Sequence, residues 1–293
     1  MRRIKPYIKG ILLVIIGIIN TIRIEIGIGR IWINIIFGPI TYLFLCFSGL
    51  IIKELILVKK TPSYNSIINN RYLILLFGVI WGTGIGLATF HVFIYNLNIF
   101  VLILAILIGI IWLGLWQFTV LYNKSNIIIK IIENLCYTLG IIYGAILNTL
   151  NIPIFIYFFF ITIFSSQLSR DFLRKIKKIK EDNGIIKKSK KINHKREKIG
   201  FNELENEFGT IKILKLSLIF QIISIAFFIL PIFTDLYSIS FYLYQMIIGL
   251  VLLGSSSILT LKGIIEKRNK KIIGLLIKVG IIFELIAFSL ANF

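Results

Sequence analysis

The residues of this chain that could do chemistry lie mainly on one segment, SSQLSRDFLRKIKKIKED at 165–182. Within it, Asp171, Lys175, Lys178 and Asp182 follow one another at i, i+4, i+7 and i+11. Eleven residues make about three helical turns, so the spacing predicts a line with an aspartate at each end and lysines between. The pattern alone leaves two interpretations open: a charged binding face, or a solvated helix with salt bridges.

The elements that must position this face are apolar stretches with roughly the 17–25 residues needed to cross a hydrocarbon core. Nine such stretches are predicted, at 8–27, 33–52, 72–95, 99–121, 128–150, 152–169, 211–233, 238–261 and 272–292. An apolar residue recurs at three- and four-residue spacing from the end of the sixth stretch onward, at Leu168, Phe172, Ile176 and Ile179. We therefore expect the sixth helix to continue out of the membrane with one apolar stripe, and to end near Gly184.

The distribution of positive charge predicts the orientation of these spans. All but three of the 33 lysines and arginines fall at the N-terminus, in the second, fourth, sixth and eighth connections, or in the ends of the spans that adjoin them; Arg23, Arg30 and Lys278 are the exceptions. The positive-inside rule then places the N-terminus in the cytoplasm and the C-terminus outside. Orientation and anionic lipid headgroups account for most of the net charge of +20, so the expected partners include membrane lipids and exclude nucleic acid.

A few polar residues fall inside the predicted spans. Glu284 and Lys278 are six residues apart in the last span, too far for the usual three- or four-residue pair, and Glu133 lies in the fifth. Charges within a membrane are costly and are therefore candidates for function. The glycines of WGTGIG at 81–86 predict close helix packing rather than a nucleotide-binding loop. No Ser-His-Asp set or pair of acids for general-base chemistry stands out.

Nine spans with enlarged cytoplasmic segments after the second and the sixth resemble the UbiA superfamily of intramembrane prenyltransferases, above all its archaeal lipid-forming members. IKPY at 4–7 is similar to the family's Arg-Pro-type opening. YNKSNIIIKIIENLCYTLGIIYG at 122–144 resembles its segment of a Tyr, a basic residue and a following Asn. The segment at 165–184 resembles its second acidic motif, and ELENEFGTIKILK at 203–215 resembles the sequence before its seventh helix.

The resemblance implies a prenyl diphosphate as substrate, a lipophilic acceptor, and Mg²⁺ ions that neutralise the diphosphate leaving group. Carried onto this sequence, the metal-binding positions are Glu54, Asp171 and Asp182, of which Asp171 and Asp182 are also the candidate catalytic residues. The implied diphosphate-binding positions are Lys124, Arg170, Arg174, Lys175 and Lys178, with Tyr122 and Asn134 in support.

The chain departs from the family's pattern in both acidic motifs. Lys175 and Lys178 stand where aspartates are expected, and alignment on Pro62 leaves only Glu54 of the first motif. Either the lysines neutralise diphosphate without metal, or catalysis is lost and the chain keeps a lipid-binding or structural role. A small transporter is a third class, although we find no half-to-half repeat of the kind common in transporters.

We therefore expect an all-α integral membrane protein that forms a single polytopic domain over 1–293. Nine transmembrane helices would form a ring, with a cytoplasmic cap made by 53–71 and 170–210. The expected function is transfer of a long isoprenoid chain from its diphosphate to a lipid or aromatic acceptor, with Mg²⁺ as cofactor. The acceptor, the chain length and the oligomeric state are not indicated by the sequence.

Overall fold

The computed structural model describes residues 5–22, 28–60, 70–95, 99–121, 127–149, 151–189, 199–234, 239–266 and 270–290. Within these ranges, side chains are described except at 5–7, 28, 53–54, 56–60, 70, 94–95, 115–121, 175–189, 199–211, 239, 263–266 and 270–271. The described residues form nine α-helices and one 3₁₀ turn, without a strand. The helices are α1 (Lys5–Ile19), α2 (Ile28–Lys60), α3 (Asn70–Tyr95), α4 (Phe100–Leu121), α5 (Ile127–Ile146), α6 (Ile154–Ser189), α7 (Ile199–Ile229), α8 (Ile239–Glu266) and α9 (Lys270–Leu290), and the 3₁₀ turn is Leu230–Phe233.

Helices are the expected response of such an apolar chain to lipid, where backbone N–H and C=O groups must bond within the segment. Six helices of the described part are long and apolar enough to cross a membrane, namely α2, α3, α5, α7, α8 and α9. The apolar parts of α1 and α4 are shorter, at Ile8–Ile19 and Phe100–Gly114. The all-α membrane class is thereby confirmed, whereas the count of nine spans, the ring and the cytoplasmic cap stay predictions.

The helix α6 continues past the sixth predicted span, as its apolar stripe indicated. It passes through Gly184 and ends at Ser189, so the predicted exit at Gly184 is wrong. A single glycine costs a helix interior only about 1 kcal/mol, which is too little to end a helix of this length. Since α7 already begins at Ile199, only 190–198 of the segment 170–210 lies outside the described residues.

The chain divides into two compact units, one after the other in sequence apart from α5 and α6. The first unit contains α1 to α4, α5 from Ile131, and α6 up to Phe160. The second contains α6 from Ile161, all of α7, α8 and α9, and the first residues of α5 up to Lys130. The prediction of a single domain over 1–293 stays a prediction.

In the first unit, α1 and α5 approach each other at the level of the backbone. A Cβ added at Gly144 would meet the carbonyl oxygen of Val14, and one added at Gly17 would meet the carbonyl oxygen of Ile141. Glycine is therefore required at both positions, because a carbonyl in a helix cannot move aside. Small residues at helix interfaces permit this close packing in membrane proteins.

Two buried asparagines tie the same helices to α2. The Asn34 amide nitrogen donates to the Asn148 side-chain oxygen at 2.7 Å and to the Leu147 carbonyl at 3.1 Å. The Asn148 amide nitrogen donates in turn to the Ile18 carbonyl at 2.8 Å. Further along α2, the Tyr42 hydroxyl donates to the Cys136 carbonyl of α5. Hydrogen bonds of this kind between helices add to packing in a medium that offers no competing water.

Candidate functional site

Along α6, a buried stretch is followed by the charged segment. Ser165 to Ser169 are all buried, and so are Phe172 and Leu173 further on. Arg170 and Asp171 are half-buried, and Arg174 is exposed. One side of α6 therefore stays packed while the other turns its charged residues outward, as the sequence predicted for Leu168 and Phe172.

The described charges at this point are one carboxylate between two guanidinium groups. A guanidinium nitrogen of Arg174 lies 3.9 Å from a carboxylate oxygen of Asp171, one turn before it. This ion pair contributes little to stability, because the Arg174 side chain is 60% exposed. Burial lowers the pKa of the Arg170 guanidinium, the positive charge of Arg174 acts in the same direction, and Asp171 opposes them. Arg170 stays protonated in any case, so it is a partly desolvated cation that an anionic ligand would stabilise.

The described donor set does not fit a cluster of Mg²⁺ ions. Mg²⁺ requires near-octahedral oxygen coordination and usually takes one or two carboxylates together with phosphate oxygens and water. Among the described residues, no group of three His, Cys, Asp or Glu side chains could hold a metal ion. Asp171 is the one acid of α6 whose side chain is described. The described side chains therefore offer a metal ion a single carboxylate at this position.

Most of the other predicted site residues lie outside the described side chains. Lys175, Lys178 and Asp182 are on α6, and Glu54 is on α2, but only their backbones are described. Tyr122 and Lys124 lie outside the described residues altogether. Their predicted roles, and the grouping of Glu54 with the two aspartates, stay predictions.

Asn134 is described, and it is buried on α5 in the first unit. Its carbonyl accepts a hydrogen bond from the Thr138 hydroxyl at 2.9 Å. Beside it, the Tyr137 hydroxyl donates to a carboxylate oxygen of Glu133 at 3.0 Å, and the rings of Tyr137 and Trp112 lie 5.2 Å apart. Glu133 thus has a local hydrogen-bond partner one turn along α5, which lowers the cost of an acid in a predicted span.

The second unit contains a group of buried polar residues that the charged motif did not indicate. Ser217, Gln221 and Ser224 follow at i, i+4 and i+7 on α7, and all three are buried. The Ser217 hydroxyl lies 2.8 Å from the Ser169 hydroxyl of α6, and the Gln221 amide donates to the Thr260 hydroxyl of α8 at 3.1 Å. The helical period of these three residues was a signal in the sequence, because polar residues inside a span face protein rather than lipid.

A further buried polar contact joins α9 to α6 and α7. Glu284 on α9 is fully buried, and its two carboxyl oxygens each lie 2.8 Å from a serine hydroxyl, that of Ser166 and that of Ser224. Lys278 on the same helix is exposed. The acid of the last span therefore lies inside the protein, and the lysine on its outer side.

These features define an α-helical membrane protein with three described charged residues midway along a long helix. The solved structures that share its fold include two. One, of a digeranylgeranylglyceryl phosphate synthase in membranes, is 18% identical, with a TM-score of 0.71 over 100% of this chain and 99% of that chain. The other, an apo structure of a UbiA homolog from Aeropyrum pernix K1, is 12% identical, with a TM-score of 0.55 over 95% of this chain and 98% of that chain.

The chain thus shares its fold with these two proteins, one of them a UbiA homolog, in agreement with the resemblance found in its sequence. At these identities the likeness extends to the fold and not to individual site residues. No family model matches the sequence, and no curated protein matches it.

Proposed function

We propose that this chain is a UbiA-type prenyltransferase that moves a long isoprenoid chain from its diphosphate to a lipophilic acceptor. The observation that carries the proposal is the shared fold over essentially the full length of both this chain and the synthase. A small transporter is the weaker alternative, because the described charges of α6, Arg170, Asp171 and Arg174, follow directly after the predicted sixth span and do not lie along a path through the middle of the membrane.

The charged part of α6 that begins at Arg170 is the proposed diphosphate site. Arg170 and Arg174 are four residues apart, so their side chains leave the same face of the helix and can reach one ligand. Guanidinium groups bind phosphate oxygens through paired, charge-assisted hydrogen bonds. An arriving diphosphate would also offset the partial desolvation of Arg170. Lys175 and Lys178 continue the positive charge in the sequence of the same helix.

The proposed reaction breaks the bond between the allylic carbon and the diphosphate oxygen and forms a bond from that carbon to the acceptor. The bonding electrons leave with the diphosphate, and the acceptor loses the proton that its attacking atom carried. The cations on α6 stabilise the negative charge that collects on the leaving diphosphate. Exclusion of water by the surrounding helices protects the reactive carbon from hydrolysis.

A catalytically degenerate homologue that binds the diphosphate but does not turn it over is the second candidate. The observation that favours it is the composition of α6, in which lysines occupy positions where carboxylates are expected and one carboxylate is described. Such a protein would bind prenyl diphosphate through its cations and release it unchanged.

The test is binding and turnover of geranylgeranyl diphosphate by the detergent-purified protein, in Mg²⁺ and then in EDTA. We expect Asp171→Ala to abolish turnover. If Asp171 is a metal ligand, the substitution weakens binding in Mg²⁺ and leaves it unchanged, or improves it, in EDTA, where a bare carboxylate only repels diphosphate. Asp235→Ala is the matched control, because Asp235 lies in the seventh connection, on the predicted outer side.

Each outcome separates the candidates. Turnover in a screen of lipid and aromatic acceptors supports the enzyme. Binding that is indifferent to EDTA, without turnover, identifies the degenerate homologue. Absence of binding in both buffers contradicts both and leaves the transporter. Full turnover by Asp171→Ala would remove this residue from the site.

A further inference from the structure

The buried carboxyl group of Glu284 has a partner on each of its oxygens. Oε2 lies 2.8 Å from the hydroxyl of Ser166 on α6, and the hydroxyl of Ser224 on α7 donates to Oε1 at 2.8 Å. Glu284 itself is fully buried within the apolar span Ile272–Leu290. One carboxyl group thus joins three helices of the second unit in a place where an acid is otherwise costly.

The hydrogen atoms of this cluster can be counted. The Ser166 hydroxyl carries one hydrogen but lies close to two acceptors, Glu284 Oε2 and the Ile163 carbonyl oxygen at 3.2 Å. Both contacts are satisfied if Ser166 donates to Ile163 and the hydrogen between Ser166 and Glu284 comes from the carboxyl group. A protonated carboxyl offers one donor and one acceptor. With the donor directed to Ser166 and the acceptor to Ser224, a neutral Glu284 fits both contacts.

An ionised Glu284 would fit the same surroundings poorly. Among the described residues, no lysine, arginine or histidine forms an ion pair with it. A buried carboxylate without a counter-charge costs several kcal/mol, and two serine hydroxyls do not neutralise it. Tyr242 of α8 is a further titratable group of this unit, and its hydroxyl already donates to the Phe228 carbonyl at 2.6 Å.

The cluster lies close to the proposed diphosphate site along α6. Ser166 precedes Asp171 by five residues, about 7.5 Å along the helix axis. Between them, the hydroxyls of Ser169 and Ser217 lie 2.8 Å apart and join α6 to α7 once more. Contacts on two successive turns fix both the rotation and the depth of α6 just before its charged residues emerge.

We propose that Glu284 is held as a neutral carboxylic acid and acts as a positioning residue for the Arg170–Asp171 part of α6. This role rests on the proposed function, because it presumes that the diphosphate binds there. The neutral acid donates to α6 and accepts from α7, so it sets the relation of α6 to both α7 and α9.

Glutamine reproduces the hydrogen bonding of a neutral acid, which provides a direct test. In Glu284→Gln, the amide nitrogen donates to Ser166 and the amide oxygen accepts from Ser224. We expect this variant to bind geranylgeranyl diphosphate within about twofold of wild type, whereas Glu284→Ala weakens binding by about tenfold or more. Ser224→Ala removes a single hydroxyl and is expected to weaken binding by a factor of about 2 to 10. Ser224→Ala tests the positioning role if Glu284→Ala does not fold.

The protonation state is measured separately, by infrared spectroscopy at neutral pH. Solvated carboxylates are ionised there, so the difference spectrum between wild type and Glu284→Gln should show the loss of a C=O stretching band of a protonated carboxylic acid. Ser289→Ala is the control on the same helix, because its hydroxyl donates to the Leu285 carbonyl of α9 itself at 2.7 Å. It should change neither the band nor binding.

The two parts of the proposal fail in different ways. Loss of carboxylate bands instead of the acid band would overturn the neutral acid. Wild-type affinity in Glu284→Ala and Ser224→Ala would overturn the positioning role, and so would a Glu284→Gln variant as weak as Glu284→Ala. If wild type itself does not bind geranylgeranyl diphosphate, the positioning role and the proposed function fail together, and the infrared result still decides the protonation state.

Discussion

At the start of the charged segment of α6, Arg170 is half-buried, whereas Arg174 one turn later is largely exposed. A charge-assisted hydrogen bond to a ligand is stronger where water is partly excluded, because the effective dielectric constant is lower. The two arginines are therefore not equivalent as phosphate ligands. The partial burial of Arg170 restricts its side chain before a ligand arrives, whereas the exposed Arg174 has more rotamer freedom to lose on binding.

We accordingly predict that Arg170→Ala lowers the affinity for geranylgeranyl diphosphate by about tenfold to a hundredfold, the usual effect of losing a hydrogen bond to a charged group. Titration of the detergent-purified protein measures it. Lys262→Ala, at an exposed position near the end of α8, is the control and should change affinity less than twofold. An unchanged affinity in Arg170→Ala would place the diphosphate elsewhere.

The sequence could identify charged residues but not their partners. The position of Asp171 beside Arg170 and Arg174 follows from helical spacing alone, and the structure agrees. Glu284 was visible as an acid in the last span, yet periodicity gives only the face of a helix and not the helix opposite. That Ser166 and Ser224 meet this acid depends on how α6, α7 and α9 pack, which no local pattern contains.

At the scale of elements, the sequence indicates that glycines permit close helix packing, but it does not show which helices they bring together. Close packing was predicted for the glycines at 81–86. At Gly84 the prediction is confirmed, because an added Cβ would lie 3.2 Å from Leu45 and 3.3 Å from Phe44. It is wrong for Gly82 and Gly86, because no atom of the described residues would lie within 4 Å of an added Cβ there. The tighter contact is between α1 and α5, where both helices contribute glycines that are far apart in sequence.

We predict that Gly144→Ala destabilises the protein, because its Cβ would meet the Val14 carbonyl oxygen of α1 and neither backbone can yield locally. Overpacking of this kind typically costs about 1–3 kcal/mol, so the apparent melting temperature in detergent should fall. Gly82→Ala is the matched control. It adds the same methyl group to open space and should gain up to about 1 kcal/mol of helix propensity. Equal melting temperatures for the two variants would contradict the contact between α1 and α5.

The sequence predicts a helix boundary correctly where the apolar period continues, and wrongly where a single glycine is expected to end the helix. The stripe from Leu168 onward correctly extended α6 beyond its predicted span. Gly184 did not end it, because the interruption is one residue in a helix of 36. Similarly, α7 begins at Ile199, before its apolar run. Polar residues outside a membrane can remain helical when a long apolar helix adjoins them.

For the whole molecule, the distribution of lysine and arginine predicts which side faces the cytoplasm, because the fold alone does not distinguish the two orientations in the membrane. The fifth connection contains Asn151, which is exposed, and has no lysine or arginine. Lys262 is exposed at the start of the eighth, basic connection. The positive-inside rule places the first of these outside and the second in the cytoplasm.

We predict that Asn151→Cys in intact cells reacts with a membrane-impermeant maleimide, whereas Lys262→Cys reacts only after the membrane is permeabilised. The native thiols should give little background, since Cys46 and Cys136 are both buried within helices. Wild type is therefore a sufficient control and needs no prior removal of cysteines. The reverse labelling pattern would invert the orientation. It would also place the Arg170–Asp171 part of α6 outside the cell, away from a cytoplasmic supply of prenyl diphosphate, and so would count against the proposed function as well as the topology.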